Sequence, residues 1–136
     1  MKNKKYQHFS LTVLATSLLL GASIAQAADW KPGVPRTAYI TMFEWKWDDV
    51  AKECTNYLGP KGFKAVQVSP PMEHGVGGEW WRLYQPVSYS LNGRLGTRQQ
   101  FQSMISTCQT AGVDVYVDTV INHMAAVSGT GSAGNT

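Results

Sequence analysis

Three polar side chains that could do chemistry lie at the end of one short, mostly β-branched stretch, residues 113–123 (VDVYVDTVINH). A stretch of this composition after a glycine predicts a strand buried on both faces, as in a parallel sheet. Asp118, Asn122 and His123 follow in quick succession at its carboxyl end. Because open α/β sheets and (β/α)8 barrels bind ligands at the carboxyl ends of their strands, these side chains form a candidate site.

This candidate site could be a metal site, a substrate-contact site or a buried polar network, and a lone histidine is more often structural than catalytic. Zinc is disfavoured because His74 and His123 lack ligand spacing and neither cysteine lies in a Cys-x-x-Cys motif. The side-chain oxygen of Asn122 suits calcium, whose shell would need further ligands from elsewhere. The other carboxylates offer no acid and nucleophile pair, and Glu44, which has tryptophan neighbours, is assigned to packing.

A second candidate site lies in a loop of about 25 residues, which is far longer than the usual connection in an α/β unit. The loop carries Trp80, Trp81, Tyr84 and Gln85 near several glycines. Flat aromatic faces suit sugar rings, whose C–H faces are apolar while their hydroxyl groups need hydrogen bonds. The alternative is a loop that its own aromatic side chains anchor to the protein, and the residues alone favour neither interpretation.

Alternating strands and helices must position these candidates. Residues 37–43 and 63–69 predict two further strands, and helical patterns separate all three. This order implies parallel strands joined by right-handed crossovers. A dinucleotide-binding sheet would need Gly-x-Gly-x-x-Gly after the first strand, where this chain has EWKW at 44–47. The sequence therefore predicts an α/β fold, namely the first three β/α units of a (β/α)8 TIM barrel.

Two amphipathic helices are predicted between the strands. The first covers residues 48–58 with Asp48 as its cap, and the second follows a capping box that begins at Thr97. Cys54 and Cys108 lie on the apolar faces of these helices, which would be neighbours in a barrel wall. A disulfide is expected if the protein is exported, and the alternative is two free buried cysteines.

The first 27 residues predict a signal peptide and therefore a secreted, extracellular protein. They combine three lysines near the start, a mostly apolar run at 9–20 that is too short to span a membrane, and the small-x-small cleavage site AQA at 25–27. The chain has a formal net charge of +3 from twelve basic and nine acidic residues. Removing the three lysines leaves nine of each, which argues against a nucleic-acid partner.

The remaining length of about a hundred residues suits one small domain. Residues 128–136 have the composition of a loop, so we expect the sequence to be the first part of a longer protein.

Several motifs together resemble the α-amylases of glycoside hydrolase family 13, specifically a bacterial secreted member of the animal-type, chloride-dependent branch. The resemblance covers nearly the whole segment after the signal peptide. Its motifs are FEWKW at 43–47, YLGPKGF at 57–63, VQVSPP at 66–71, WW at 80–81, YQPVSY at 84–89 and DTVINH at 118–123.

The resemblance implies a monomeric hydrolase that cleaves internal α-1,4-glucosidic bonds of starch, glycogen or malto-oligosaccharides with retention of configuration. Residues 28–124 would be the N-terminal part of the catalytic barrel, and residues 125–136 would begin the domain inserted after strand three. Retention requires a nucleophile and an acid whose carboxyl groups lie about 5 to 5.5 Å apart. In the family both lie on later strands, so this segment alone is expected to be inactive. It is also expected to fold poorly, because an unclosed barrel leaves strand edges unpaired.

By the same resemblance the segment supplies the substrate cradle. Tyr84 would stack under the sugar at the cleavage point, and Trp80 and Trp81 would form the neighbouring glucose platform. Gln85 would contact a hydroxyl group. His123 would hydrogen-bond the sugar at the cleavage point, which aids the rate insofar as the bond strengthens in the transition state.

The resemblance also assigns the remaining candidates. Asp118 would orient the site without reacting, Asn122 would be a calcium ligand, and the chloride ligands would lie beyond this segment. The animal enzymes carry a second disulfide at positions matching Asn92 and Ala125, and its absence fits a bacterial relative. Two alternatives stay open: a non-catalytic starch-binding module, and a related family 13 transglycosylase.

Overall fold

The structure is a computed structural model, and it describes residues 29–126 and Gly131. The predicted signal peptide (1–27) lies outside the described residues, as does most of the predicted start of the inserted domain. None of the helices in the described part of the chain has both the length and the apolar character needed to cross a membrane.

Strands and helices alternate along the chain, as the sequence predicts. In chain order the elements are β1 (Tyr39–Met42), α1 (Trp47–Glu53), a π-helix (Cys54–Leu58), β2 (Ala65–Val68), a 3₁₀ helix (Trp80–Tyr84), α2 (Arg98–Thr110) and β3 (Asp114–Val117). The predicted α/β class is therefore confirmed, while the strands are shorter at both ends than predicted.

The three strands form one parallel sheet in the order β1-β2-β3. Met42 on β1 pairs with Val68 on β2, which pairs in turn with Val117 on β3. All three strands therefore end at the same level of the sheet, and the residues that follow them emerge at one edge.

The core lies between the sheet and the helices. Met42, Val66 and Val68 are buried against apolar side chains of α1 and α2, including Val50 and Met104. Because side chains alternate along a strand, the opposite face carries a different set of residues. That face is largely exposed, and its members include Tyr39, Thr41, Gln67 and Tyr116.

The prediction that the third strand is buried on both faces is wrong for the described chain. Every residue of β3 is exposed or half-buried. β3 pairs with β2 on one side, and no other described strand covers its outer edge. The β-branched composition identified a strand correctly, but burial depends on neighbours that these residues do not supply.

The prediction that Asp48 caps the first helix is also wrong. The helix begins at Trp47, and its N-cap residue Lys46 makes no side-chain capping bond. Trp47 is buried with its ring 5.0 Å from that of Phe101, so packing determines where the helix starts. The Asp48 carboxylate instead accepts a hydrogen bond of 2.7 Å from the Gln100 side chain.

The capping box of the second helix is confirmed. The Thr97 hydroxyl accepts from the Gln100 amide at 3.2 Å, and the Gln100 side-chain oxygen accepts from the Thr97 amide at 2.9 Å. These two bonds satisfy two free backbone donors at the start of α2, where the sequence places the helix.

The expected disulfide between Cys54 and Cys108 is present. Both residues are fully buried, and their Cα atoms lie 4.9 Å apart. The bridge joins the π-helix that follows α1 to α2, and its two cysteines are separated by 54 positions in the sequence. It therefore cross-links the two helices that cover the sheet.

Removing the bridge should destabilise the protein. The double variant Cys54→Ala/Cys108→Ala should lose about 4 kcal/mol of unfolding free energy, because the open chain gains loop entropy on unfolding. The measurement is the urea midpoint of the full-length protein under non-reducing conditions. The matched control is Ser103→Ala on the exposed face of α2. Equal midpoints for the double variant and the parent would contradict a stabilising role.

Candidate functional site

The carboxyl edge of the sheet gathers the residues that follow the three strands. The Glu44 amide, after β1, donates to the Ser69 hydroxyl, after β2, at 2.8 Å. The Asp118 amide, after β3, donates to the Val68 carbonyl at 3.1 Å and so continues the ladder beyond the strand. These two hydrogen bonds connect the ends of the three strands to one another.

Tyr84 connects the long loop to the end of β3. Its hydroxyl donates to Oδ2 of Asp118 at 2.7 Å. Burial, and secondarily the hydrogen bond and the negative charge of Asp118, raise the pKa of Tyr84 to about 12. The phenol therefore stays protonated near neutral pH, and the bond fixes the position of its ring at the sheet edge.

His123 contacts the same tyrosine through the backbone. Its Nε2 atom lies 2.9 Å from the Tyr84 carbonyl oxygen. A carbonyl oxygen can only accept, so Nε2 carries the hydrogen and Nδ1 is the acceptor in the neutral ring. Asp118 and His123, which the sequence places five residues apart, therefore hold one residue of the loop by its side chain and by its main chain.

Further bonds tie the loop to the segment after β3. The Ala125 amide donates to the Pro86 carbonyl at 2.8 Å, and the Ala126 amide donates to the Gln85 side-chain oxygen at 2.8 Å. These bonds commit the oxygen of the Gln85 amide group. No hydrogen bond from its two N–H donors is seen among the described residues, and the Gln85 residue is half-buried.

The two tryptophans of the 3₁₀ helix are exposed. Trp80 is 57% exposed, and its ring packs edge-on against those of Tyr84 and Phe43, with distances between ring centroids of 6.4 Å and 6.1 Å. Trp81 is 39% exposed, and the Arg82 guanidinium lies 4.5 Å from its ring centre. The buried residue of this helix is Leu83. Leu83 therefore anchors the loop, and much of the tryptophan surface is left open to solvent.

The described residues alone do not form a calcium site. Asn122 is exposed and supplies one side-chain oxygen, whereas calcium takes six to eight oxygen ligands. Residues 29–126 and Gly131 contain no group of three or more His, Cys, Asp or Glu side chains that could hold a metal ion. Any calcium bound through Asn122 would need most of its ligands from other parts of the protein.

Sequence reasoning missed two residues beside the loop. Arg94 donates to the Gly77 and Glu79 carbonyls and pairs with the Glu44 carboxylate. The position of Glu44 directly after a strand was a usable signal for a role at the sheet edge. Arg94 lies between two glycines in a turn, and its sequence context gives no indication of these partners.

The chain is similar to α-amylases of animals and bacteria, although no protein-family model matches it. It is 48% identical over 130 residues to an α-amylase of Phaedon cochleariae, and this match covers 93% of this chain and 26% of the relative. It is 52% identical over 124 residues to an α-amylase of Streptomyces violaceus, with 88% and 22% covered. The chain thus spans about a quarter of the length of the curated relatives it matches.

Solved structures give the same result. Wild-type α-amylase I of Eisenia fetida matches with a TM-score of 0.69 and 47% identity, over 75% of this chain and 22% of that chain. A mutant of the same enzyme, in complex with maltohexaose, matches with a TM-score of 0.69 and 44% identity, over 80% and 23%. A hypothetical maltooligosyl trehalose synthase of Sulfolobus tokodaii, at 20% identity and a TM-score of 0.58, shares the fold alone. This chain is therefore similar, in sequence and in fold, to a part of these α-amylases.

Proposed function

We propose that this chain is the substrate-holding part of a secreted α-amylase that hydrolyses internal α-1,4-glucosidic bonds with retention of configuration. The observation that carries the proposal is the contact of Tyr84 with both Asp118 and His123 at the carboxyl edge of the sheet. That edge is where (β/α)8 enzymes bind their substrates. The nucleophile and the general acid would lie on later strands of the full-length protein.

The aromatic surface would bind the glucan. The exposed ring of Trp80 and the adjoining ring of Tyr84 meet at an angle of 76°, so the two faces line a corner. Such a corner suits a bent α-1,4-linked glucan, because successive sugars can stack on differently oriented faces. Maltohexaose, found on the related Eisenia enzyme, is a ligand of this class.

The polar residues would orient the sugar at the cleavage point. Asp118 holds the Tyr84 ring, and the Tyr84 carbonyl holds His123 with Nδ1 as the remaining acceptor. A sugar hydroxyl can donate to Nδ1, and the N–H groups of Gln85 can donate to another hydroxyl. A hydrogen bond contributes to the rate only if it is stronger in the transition state than in the bound substrate, and we assign such a bond to His123.

Three wider features belong to the same proposal. The exposed sheet face and the outer edge of β3 would be covered by the later strands of a (β/α)8 barrel. Asn122 would supply one calcium ligand, and the chloride ligands would lie elsewhere in the protein. Both ions would help to order the site. Residues 1–27 would direct export, and the full-length protein would act as a monomer.

The direct test is hydrolysis of soluble starch by the full-length protein. We expect new reducing ends, products of mixed length from internal cleavage, and the α-anomer as the first product by proton NMR. A β-anomer would overturn retention. Longer oligosaccharides formed from short ones would indicate a transglycosylase.

A second candidate function is a non-catalytic starch-binding module. The observation that favours it is the exposure of Trp80 and Trp81 in a segment to which no nucleophile and acid pair is assigned. Binding of starch by the full-length protein without release of reducing ends would support this candidate against the α-amylase.

His123 should affect turnover more than binding. His123→Asn should lower kcat on starch about a hundredfold, with KM within about twofold, because the lost bond is assigned to the transition state. The matched control is Met124→Ala, which truncates the exposed neighbour. A kcat equal to that of the parent would refute the role of His123.

Tyr84 should ionise at a higher pH than an ordinary tyrosine. Absorbance at 295 nm should show one tyrosine that ionises near pH 12, and Tyr84→Phe should abolish that transition. Because the pKa of Tyr84 is higher in the folded state than in the unfolded state, the protonated phenol adds to the free energy of unfolding. This contribution is complete below the ordinary pKa of 10.0 and is lost as the pH rises through about 12. Asp118→Asn should lower this pKa, although burial should keep it above 10.0. An unchanged late transition in Tyr84→Phe would contradict the assignment.

Asn122 should affect calcium retention. After dialysis of the full-length protein against a chelator, Asn122→Ala should hold less calcium than the parent by atomic absorption, because one oxygen ligand is lost. Asn56→Ala, an exposed asparagine on the π-helix, is the matched control. Equal calcium content in the parent and both variants would count against Asn122 as a ligand.

A further inference from the structure

The side chain of Arg94 joins two parts of the chain that flank the aromatic surface. Its Nη1 atom donates to the carbonyl oxygens of Gly77 at 3.3 Å and Glu79 at 3.1 Å. Its Nη2 atom pairs with the carboxylate of Glu44 after β1. The Arg94 and Glu44 side chains are 22% and 33% exposed, so the pair is partly shielded from water.

The Glu79 carbonyl is a structurally important acceptor. It also accepts the amide of Arg82 at 3.1 Å, which is the first turn of the 3₁₀ helix that carries Trp80 and Trp81. Arg94 therefore binds the residue from which the aromatic helix starts. The other end of that helix is held separately, by the contacts of Tyr84 with Asp118 and His123.

Glu44 is itself held in an unusual conformation. Its φ of 62° lies in the left-handed region, where a residue with a side chain is disfavoured. Such a conformation persists when the surroundings fix it, here by the Ser69 hydroxyl on the amide and by Arg94 on the carboxylate. The preceding residue, Phe43, makes the edge contact with Trp80.

The backbone of Arg94 is fixed without its side chain. The turn closes through two bonds between Gly93 and Gly96, of 3.0 and 3.1 Å, and the Trp47 amide donates to the Leu95 carbonyl at 3.1 Å. A substitution at Arg94 should therefore leave the turn in place and release the bonds to the loop.

We propose that Arg94, fixed by Glu44, is a positioning residue for glucan binding that holds the start of the Trp80–Tyr84 helix. The inference rests on the proposed function and adds to it a residue that does not touch the sugar. Without the guanidinium, the Gly77–Glu79 segment loses its hydrogen bonds to Arg94. Trp80 then keeps only its ring contacts with Phe43 and Tyr84, so the tryptophans are held less firmly. Binding should weaken while the contacts around Tyr84 keep the reacting sugar in place.

The test separates KM from kcat in the full-length protein. Arg94→Gln should raise KM for maltohexaose about tenfold with kcat within about twofold, since hydrogen bonds to charged groups contribute more than neutral ones. Arg94→Lys keeps the charge without the planar fork and should fall between Arg94→Gln and the parent. The control is Arg98→Gln, an exposed arginine at the start of α2, which should match the parent.

A double-mutant cycle tests the role of Glu44. Glu44→Gln should raise KM, and Arg94→Gln/Glu44→Gln should raise it by less than the product of the single effects. Tryptophan fluorescence should show higher acrylamide quenching in Arg94→Gln than in the parent, whereas Arg98→Gln should not change it.

Two results would overturn the inference: an unchanged KM in Arg94→Gln, or a fall in kcat equal to the rise in KM. Hydrolysis of starch by the parent is measured first, so failure of the proposed function is seen separately. If the parent binds maltohexaose without hydrolysis, the dissociation constant replaces KM in every comparison. If the parent neither binds nor hydrolyses glucans, the inference is overturned together with the proposed function.

Discussion

The parallel pairing of the three strands is the constraint from which the rest of the site follows. Parallel strands in register must all end at one edge, so Glu44, Ser69 and Asp118 emerge side by side although they are far apart in sequence. The hydrogen bond between Glu44 and Ser69 and the ladder bond from Asp118 to Val68 extend this order past the strands. The long loop needs only a few contacts with this edge to become part of a site.

The loop makes those contacts at the two ends of its 3₁₀ helix. At the carboxyl end, Tyr84 is held by its hydroxyl and by its main chain. At the amino end, Arg94 connects the loop to Glu44. The tryptophans between these supports are exposed, because Leu83 provides the apolar anchor. The residue that packs the helix against the protein is thus different from the residues that form its exposed surface.

Sequence patterns predicted the local features whose causes are local. The capping box at Thr97 depends on residues three positions apart, and the strand and helix order follows from apolar periodicity. The cysteine pair was predictable because the predicted signal peptide and the predicted helix order both favoured a disulfide. Residues of the long loop were identified as candidates from their types and from the family resemblance.

Features that depend on distant partners were not predictable in the same way. The start of α1 is determined by Trp47 packing on Phe101, which overrides the capping preference of Asp48. The exposure of β3 depends on which strands lie beside it. The role of Arg94 depends on a glutamate 50 residues away and on backbone carbonyls. Every residue has a backbone carbonyl, so the sequence does not indicate which of them accept a hydrogen bond from Arg94.

The disulfide has a consequence for the integrity of the aromatic loop. The chain between Cys54 and Cys108 is a covalent ring that contains β2 and the whole 3₁₀ helix. Within that ring, Val76 is 91% exposed and lies next to two glycines, which is the kind of loop tip that proteases cut. A single cut there leaves both pieces joined through the disulfide, so a nicked chain would keep its exposed tryptophan surface attached to the sheet.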